Sequence, residues 1–156
     1  MARDRTVCFT GHRAIKNAEE VEQRLSKIVE GLVAAGYNYF LAGGARGVDT
    51  LAAQTIVKQK AVYSQINLRL VLPFPSPYEI EKGWTEDDIE SYHTILGAAD
   101  EVVYFAQQYK RGLYYLRDRY MVDNAAVCVA YQRRKTGGTA YTVNYAKEQA
   151  VKLIMV

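Results

Sequence analysis

The chain has 156 residues, 49% of them apolar and 24% charged, which fits one globular domain with a sizeable core and excludes a disordered or collagen-like chain. Its formal net charge of +3 does not by itself argue for nucleic acid. No apolar run approaches the ~18 residues of a membrane span, and the opening MARDRTV does not read as a signal peptide, so a cytoplasmic protein without membrane association is expected.

In chain order, Thr6–Thr10 reads as a short buried strand that ends in Gly11-His12-Arg13. Asn17 as N-cap, with Glu20 three residues on, predicts a helix start. Val21, Leu25, Ile28, Val29 and Leu32 recur on one helical face, and Gly36 suits the position after the last turn. Residues 37–42 form a second strand, and Asp49 or Thr50 opens a second helix with Leu51, Ala52 and Ile56 inward. Leu68–Leu72 is a third strand. Pro73, Pro75 and Pro77 then impose a stiff loop. Thr85 and Asp88 form a capping-box pattern before a helix whose inward face is Ile89, Tyr92 and Leu96. Glu101–Ala106 is a fourth strand. Leu113, Leu116 and Tyr120 mark a helix ending near Asn124. Ala126–Tyr131 is a fifth strand, Val143, Ala146 and Ala150 mark a last helix, and Lys152–Val156 closes the chain as a sixth strand.

Apolar strands alternating with helices predict a single three-layer α/β/α domain over residues 1–156, Rossmann-like, with a mainly parallel sheet of about six strands. Cys8 and Cys128 sit in the strand-like runs with no C-x-x-C spacing and no neighbouring ligands, so neither a disulfide framework nor a metal site is expected. In such sheets ligands lie beyond the carboxyl ends of the strands, at the switch in strand order. The segments falling there are Gly11–Arg13, Gly43–Asp49, Pro73–Trp84, Gln107–Arg119 and Gly137–Thr139.

Two of these are glycine-rich turns between a strand and a helix. Gly43, Gly44 and Gly47 surround Arg46 in the first, and Gly137 and Gly138 precede Thr139 in the second. Glycine lets backbone N–H groups approach an anion, and a helix N-terminus adds roughly half a positive charge. Asp49 would repel a phosphate, so an anion is expected nearer Gly137–Thr139, with Gly43 and Gly44 beside a neutral part of the ligand. Asp49 itself reads as an N-cap, a ribose-hydroxyl acceptor or a partner for Arg46. Arg46 and Arg119 are the candidate phosphate-binding cations, each with an ion-pair role as the alternative. His12 could serve as acid–base or as a hydrogen-bonded loop residue. Tyr78 and Trp84 could stack a base or pack their loop. The late cations, Lys110, Arg111, Arg117, Arg119 and Arg133, Arg134, Lys135, could form a solvated face or meet nucleic acid.

With those residues in place, GGARGVDTLAA (43–53), RDRYMVDNA (117–125) and GGTAYTVNYAKEQ (137–149) resemble the three signature segments of the SMF/DprA–LOG (SLOG) superfamily, and TGHR (10–13) is similar to the opening of its YpsA/YoqJ-like branch. The resemblance implies a Rossmann-like fold for nucleotide-type ligands. It maps Gly43, Gly44, Arg46, Gly47 and Asp49, then Arg119, then Gly137, Gly138 and Thr139 onto the ligand site, to which Gly11, His12 and Arg13 are added by their place at the same sheet edge, and leaves a homodimer as a family-level expectation. No metal or further cofactor is implied. LOG-type members cleave the N-glycosidic bond of nucleoside monophosphates with an arginine and a glutamate. Here Thr136 replaces the proline of their turn, and Val143 and Asn144 stand where the glutamate would fall. DprA-type members bind single-stranded DNA. The expectation is therefore a nucleotide-binding protein, a ligand sensor, with N-glycosidic hydrolysis and single-stranded nucleic-acid binding as the alternatives.

Overall fold

The computed structural model describes residues 1–156 as a six-stranded, all-parallel sheet flanked by five helices. The strands are β1 (Thr6–Gly11), β2 (Tyr39–Ala42), β3 (Asn67–Leu72), β4 (Glu101–Tyr104), β5 (Val127–Tyr131) and β6 (Lys152–Met155). The helices are α1 (Ala18–Ala34), α2 (Val48–Lys60), α3 (Glu86–Ala98), α4 (Leu113–Asp123) and α5 (Gly138–Glu148). Across the sheet the order is β4-β3-β2-β1-β5-β6. The chain winds outward from β1 to β4, then returns past β1 to place β5 on its other side. The order therefore switches between β1 and β5, whose registered pairs include Cys8 with Cys128 and Gly11 with Tyr131.

Alternation along each strand supplies both cores. Val7, Phe9, Phe40, Leu68, Leu70 and Val129 point to one face, where they meet Leu25 and Val29 of α1, Ile56 of α2 and Ile95 of α3. Cys8, Leu41, Val71 and Cys128 point to the other, against Met121 and Val122 of α4 and Ala146 of α5. Burial on both faces is why the strands read as near-continuous apolar runs. Both cysteines are buried and free.

Several local expectations change. The Thr85–Asp88 capping box forms as expected, each partner accepting the other's backbone N–H. Asn17 instead adopts a left-handed conformation, and its side chain caps no N–H of α1. Gly47, not Asp49 or Thr50, precedes α2. Ala150 lies beyond the end of α5, at a φ of 56°. On α4 the buried stripe is Leu113, Arg117 and Met121, while Leu116 stands 54% exposed. That helix is rotated relative to its expected apolar face, and the rotation carries Arg117 inward. Tyr78, Trp84 and Tyr92 form an edge-to-face cluster that fastens the proline loop onto α3. The two aromatics thus pack the loop.

Candidate functional site

A cleft of about 480 Å³ opens at the carboxyl ends of β1 and β5. This is the crevice created when two adjacent strands send their connections to opposite faces of the sheet. Gly11, His12 and Arg13 form one wall, Gly138 and Thr139 at the start of α5 another, and Asp49, Arg117 and Asp118 the floor. Tyr114 and Arg134 complete the rim.

The floor is a buried charge cluster. Arg117 is only 5% exposed. Its Nη1 donates to the Gly43 carbonyl, and its Nε donates to Asp118 Oδ1 at 2.7 Å. Asp118 Oδ2 accepts from the Thr142 hydroxyl at 3.1 Å, which ties α4 to α5. Asp49, in the first turn of α2, accepts the Ala45 N–H at 3.3 Å. Burial pushes its carboxyl up to about 6 against the pull of Arg117, with Asp118 adding to the rise. A carboxyl poised near neutrality beside a fixed guanidinium is equipped to hold a ligand hydroxyl or to exchange a proton.

His12 is held from both ring nitrogens. The Arg133 backbone N–H donates to its Nε2 at 2.8 Å, and its Nδ1 lies 3.3 Å from the Thr139 hydroxyl and 3.4 Å from Arg134 Nη2. Burial, followed by the charges of Arg134 and Arg133, lowers its pKa from the ordinary value. The ring therefore braces the β1 loop against the β5–α5 turn. Arg13 lies half-exposed on the rim, 3.1 Å from Glu81, and the Tyr114 ring sits between Arg13 and Arg117 with its hydroxyl on Glu81.

The two glycine-rich turns differ in what surrounds them. A Cβ at Gly43 would meet Arg117 Nη1 and Asp49 Oδ2, one at Gly44 would overlap Leu72, and one at Gly47 would overlap the carbonyls of His12 and Arg13. Gly11 is likewise closed by Val48. Around Gly137 and Gly138 there is open space within 4 Å of where a Cβ would stand. Gly137 precedes α5 and supplies no side-chain cap, so the first amides of that helix are met by no side chain.

Of the expected site residues, the structure brings Gly11, His12, Arg13, Asp49, Gly138 and Thr139 to the cleft, with Gly137 in the same turn. Gly43, Gly44 and Gly47 lie behind it as packing positions. Arg46 is turned away, its guanidinium donating to the carbonyls of Gly83 and Lys82 and so holding the proline loop. Arg119 is also corrected. It is exposed on the outer side of α4, bonded to the Tyr141 hydroxyl and lying over the Tyr141 and Tyr145 rings. Arg117, two residues earlier, occupies the position expected of it. The readable signal was the spacing of Leu113, Arg117 and Met121, which places an arginine on the buried stripe of α4. Asp118, Tyr114 and Arg134 carried no comparable mark.

A doubly wound α/β domain with a charged crevice at its strand-order switch is thereby defined. The chain belongs to the YpsA family, described as a SLOG family, whose sequence model matches residues 8–155. A UPF0398 protein of Halalkalibacterium halodurans is 31% identical over 142 residues, covering 88% of this chain and 71% of that protein. A UPF0398 protein of Bacillus thuringiensis is 26% identical over 134 residues, covering 84% and 71%. Among solved structures, DNA processing protein A of Helicobacter pylori, described for its single-stranded DNA binding mode, superposes with a TM-score of 0.69 at 16% identity. The match covers 96% of this chain and 64% of that one. The Streptococcus pneumoniae protein of the same name also gives 0.69, at 15% identity, and this chain spans half its length. A molybdenum cofactor carrier protein of Chlamydomonas reinhardtii gives 0.56 at 16% identity, covering 98% and 76%. These likenesses establish the fold. No helix is long and apolar enough to cross a membrane.

Proposed function

We propose that the protein binds a nucleotide or nucleotide-derived ligand in the β1/β5 cleft. The carrying observation is the open turn at Gly137–Thr139, where uncapped amides of α5, the Thr139 hydroxyl and Arg134 converge on one side of the cleft. Those groups suit a phosphate. Across the cleft, Asp49 and Asp118 suit ribose hydroxyls, which donate hydrogen bonds that a phosphate cannot. A cleft of about 480 Å³ falls within the range of about 300–1,000 Å³ usual for small-molecule sites. Family membership supports a nucleotide-type ligand, and the comparison with DNA processing protein A brings single-stranded DNA into the same test.

The test is titration calorimetry with the four ribonucleoside monophosphates and a short oligo-dT, on the wild type and on Gly138→Asp. The substitution places a carboxylate in open space at a helix start, where it favours folding and repels an anion. Binding of a monophosphate that Gly138→Asp weakens at least tenfold is the expected result. No nucleotide binding, or binding indifferent to the substitution, overturns the reading.

A second reading, hydrolysis of an N-glycosidic bond, is favoured by the two carboxyl groups at the floor. Water would add to the ribose anomeric carbon while the bond to the base breaks. Asp118 would accept the proton of the water, and Asp49, protonated near pH 6, would supply one to the departing base. It predicts release of ribose 5-phosphate from a nucleoside monophosphate, abolished in Asp118→Asn. No release across the four monophosphates between pH 5 and 8 overturns it.

A further inference from the structure

The cleft continues past His12. On the far side of the imidazole lies a second cavity of about 590 Å³, and it shares His12, Ala14 and Arg134 with the first. Its walls come from the start of α1 and from the residues after β5, so it is built by the same two loops that build the cleft. His12, fixed by the Arg133 amide and Thr139, is the partition between the two spaces.

The second cavity is strongly one-signed. Lys16, Arg24, Arg133 and Arg134 line it against one carboxylate, Glu20. Glu20 is consumed by Arg24 at 2.6 Å. Arg133 lies over the Tyr131 ring at 4.0 Å and donates to the Val156 carbonyl at 3.1 Å, so its role is partly structural. Lys16 and Arg134 have no carboxylate partner anywhere in the fold. Concave walls of one charge sign focus the field and concentrate counter-ions, and that effect exceeds what the same charges do on a convex surface. A nucleoside monophosphate seated at Gly138 and Thr139 would use Arg134 but would leave Lys16 unpaired and Arg24 with only its exposed ion pair to Glu20.

We propose that the cleft and this basic cavity form one continuous site for a nucleotide carrying two separated phosphate groups, as in a nucleoside bisphosphate or a linear 5′-phosphorylated dinucleotide, with Arg134 at the joint. The proposal rests on the nucleotide reading of the cleft. One phosphate sits at the α5 turn, the ribose keeps its free hydroxyl on the Asp49–Asp118 side of the cleft, and the second phosphate passes His12 to meet Lys16 and Arg24 at the start of α1. The neutral state of His12 serves this arrangement, because a ring that accepts the Arg133 amide leaves the backbone of both loops in a fixed spacing.

The test is calorimetry at fixed ionic strength with AMP, adenosine 3′,5′-bisphosphate, pApA and oligo-dT, on the wild type and on the double variant Lys16→Gln/Arg24→Gln. Both side chains are exposed and neither lines the first cleft, so the fold and the AMP contacts are left intact. The expected result is at least tenfold tighter binding of the bisphosphate or pApA than of AMP, reduced to the AMP level in the double variant while AMP affinity is unchanged. Equal affinities in the wild type, or a double variant that weakens AMP and the longer ligands alike, overturns the extended site and leaves the nucleotide reading standing. Failure of all three adenine nucleotides overturns the extended site as stated, and joined to failure of the other three monophosphates it overturns both. Oligo-dT binding much tighter than pApA, with a steep salt dependence, overturns it in favour of a nucleic-acid track.

Discussion

The two glycine-rich turns look alike in sequence and do opposite things in the fold. Gly43–Gly47 follows β2 and is filled from every side by protein atoms: the guanidinium of Arg117, the carboxylate of Asp49, the side chain of Leu72 and the carbonyls of the β1 loop. Gly137–Gly138 follows β5 and faces empty space. Their places in the sheet explain the difference. β2 lies inside the run β4-β3-β2-β1, where neighbouring loops close over one another, whereas β5 sits at the switch, where the loops part. Glycine after a strand therefore marks close approach, and the strand order decides whether the approaching group is the protein or a ligand.

The sharpest way to break the filled turn is to remove what fills it. Arg117→Ala leaves buried Asp49 and partly buried Asp118 without their cation and frees the Gly43 carbonyl. Breaking a buried ion cluster in this way costs about 3–5 kcal/mol. Urea denaturation at pH 7.5 should show a loss of that order, smaller at pH 5 where Asp49 is protonated. A loss below ~1 kcal/mol would mean that the cluster is solvated.

Gly47→Ala comes next. The residue has a φ of 83°, and its Cβ would press on two backbone carbonyls that have no rotamer to yield. Left-handed strain and overpacking together place the cost at about 3 kcal/mol. Thermal unfolding checks it, and a neutral outcome would show that the β1 loop can move away from the turn.

The sheet itself was legible because burial on both faces writes strands as apolar runs, and turns punctuate them with Gly and Pro. The six strands and five helices follow the expected order, with ends displaced by a few residues. The site was only partly legible. Asp49, His12, Gly138 and Thr139 stand at strand ends, where chain order alone places them. Arg117 and Arg119 are both on α4, and the Leu113–Arg117–Met121 spacing that favours Arg117 competes in the sequence with the apolar spacing of Leu113, Leu116 and Tyr120. Leu116 next to Arg117 gave the wrong apolar stripe because α4 presents Tyr115, Leu116 and Arg119 outward. Arg46 read as a ligand cation since it lies between glycines, yet the proline loop returns close enough to take its guanidinium on two carbonyls. That return is a tertiary fact with no local sign.

Asp49→Asn tests the floor with a smaller effect of opposite sign. The folded carboxyl titrates near 6 against an ordinary 3.8, so folding favours the protonated form. Its stabilising contribution is complete below pH ~4 and is lost as pH rises through about 6; a two-unit shift amounts to at most roughly 3 kcal/mol. The asparagine keeps the acceptor for Ala45 and carries no charge. The variant should therefore match the wild type at pH 4 and exceed it in stability by about 1–2 kcal/mol at pH 8. Melting temperatures across that range read it directly, and a constant difference at all pH values would show that Asp49 does not titrate there. A gain in stability joined to a loss of nucleotide affinity would mark a charge kept for binding.

The smallest effect on stability belongs to the open turn. Gly138→Ala adds a methyl group where nothing stands within 4 Å, at the first residue of α5 and with an ordinary φ. Alanine is the better helix former, by about 1 kcal/mol in a helix interior and less at its first position, so the melting temperature should hold or rise slightly. The same methyl projects into the space assigned to the phosphate, so monophosphate affinity should fall several-fold while folding is untouched. The filled turn should behave in the reverse order: at Gly47 stability fails first, and any loss of binding follows from unfolding. If Gly138→Ala leaves affinity unchanged as well, the open turn is as structural as the filled one, and the contrast between them is a matter of packing density alone.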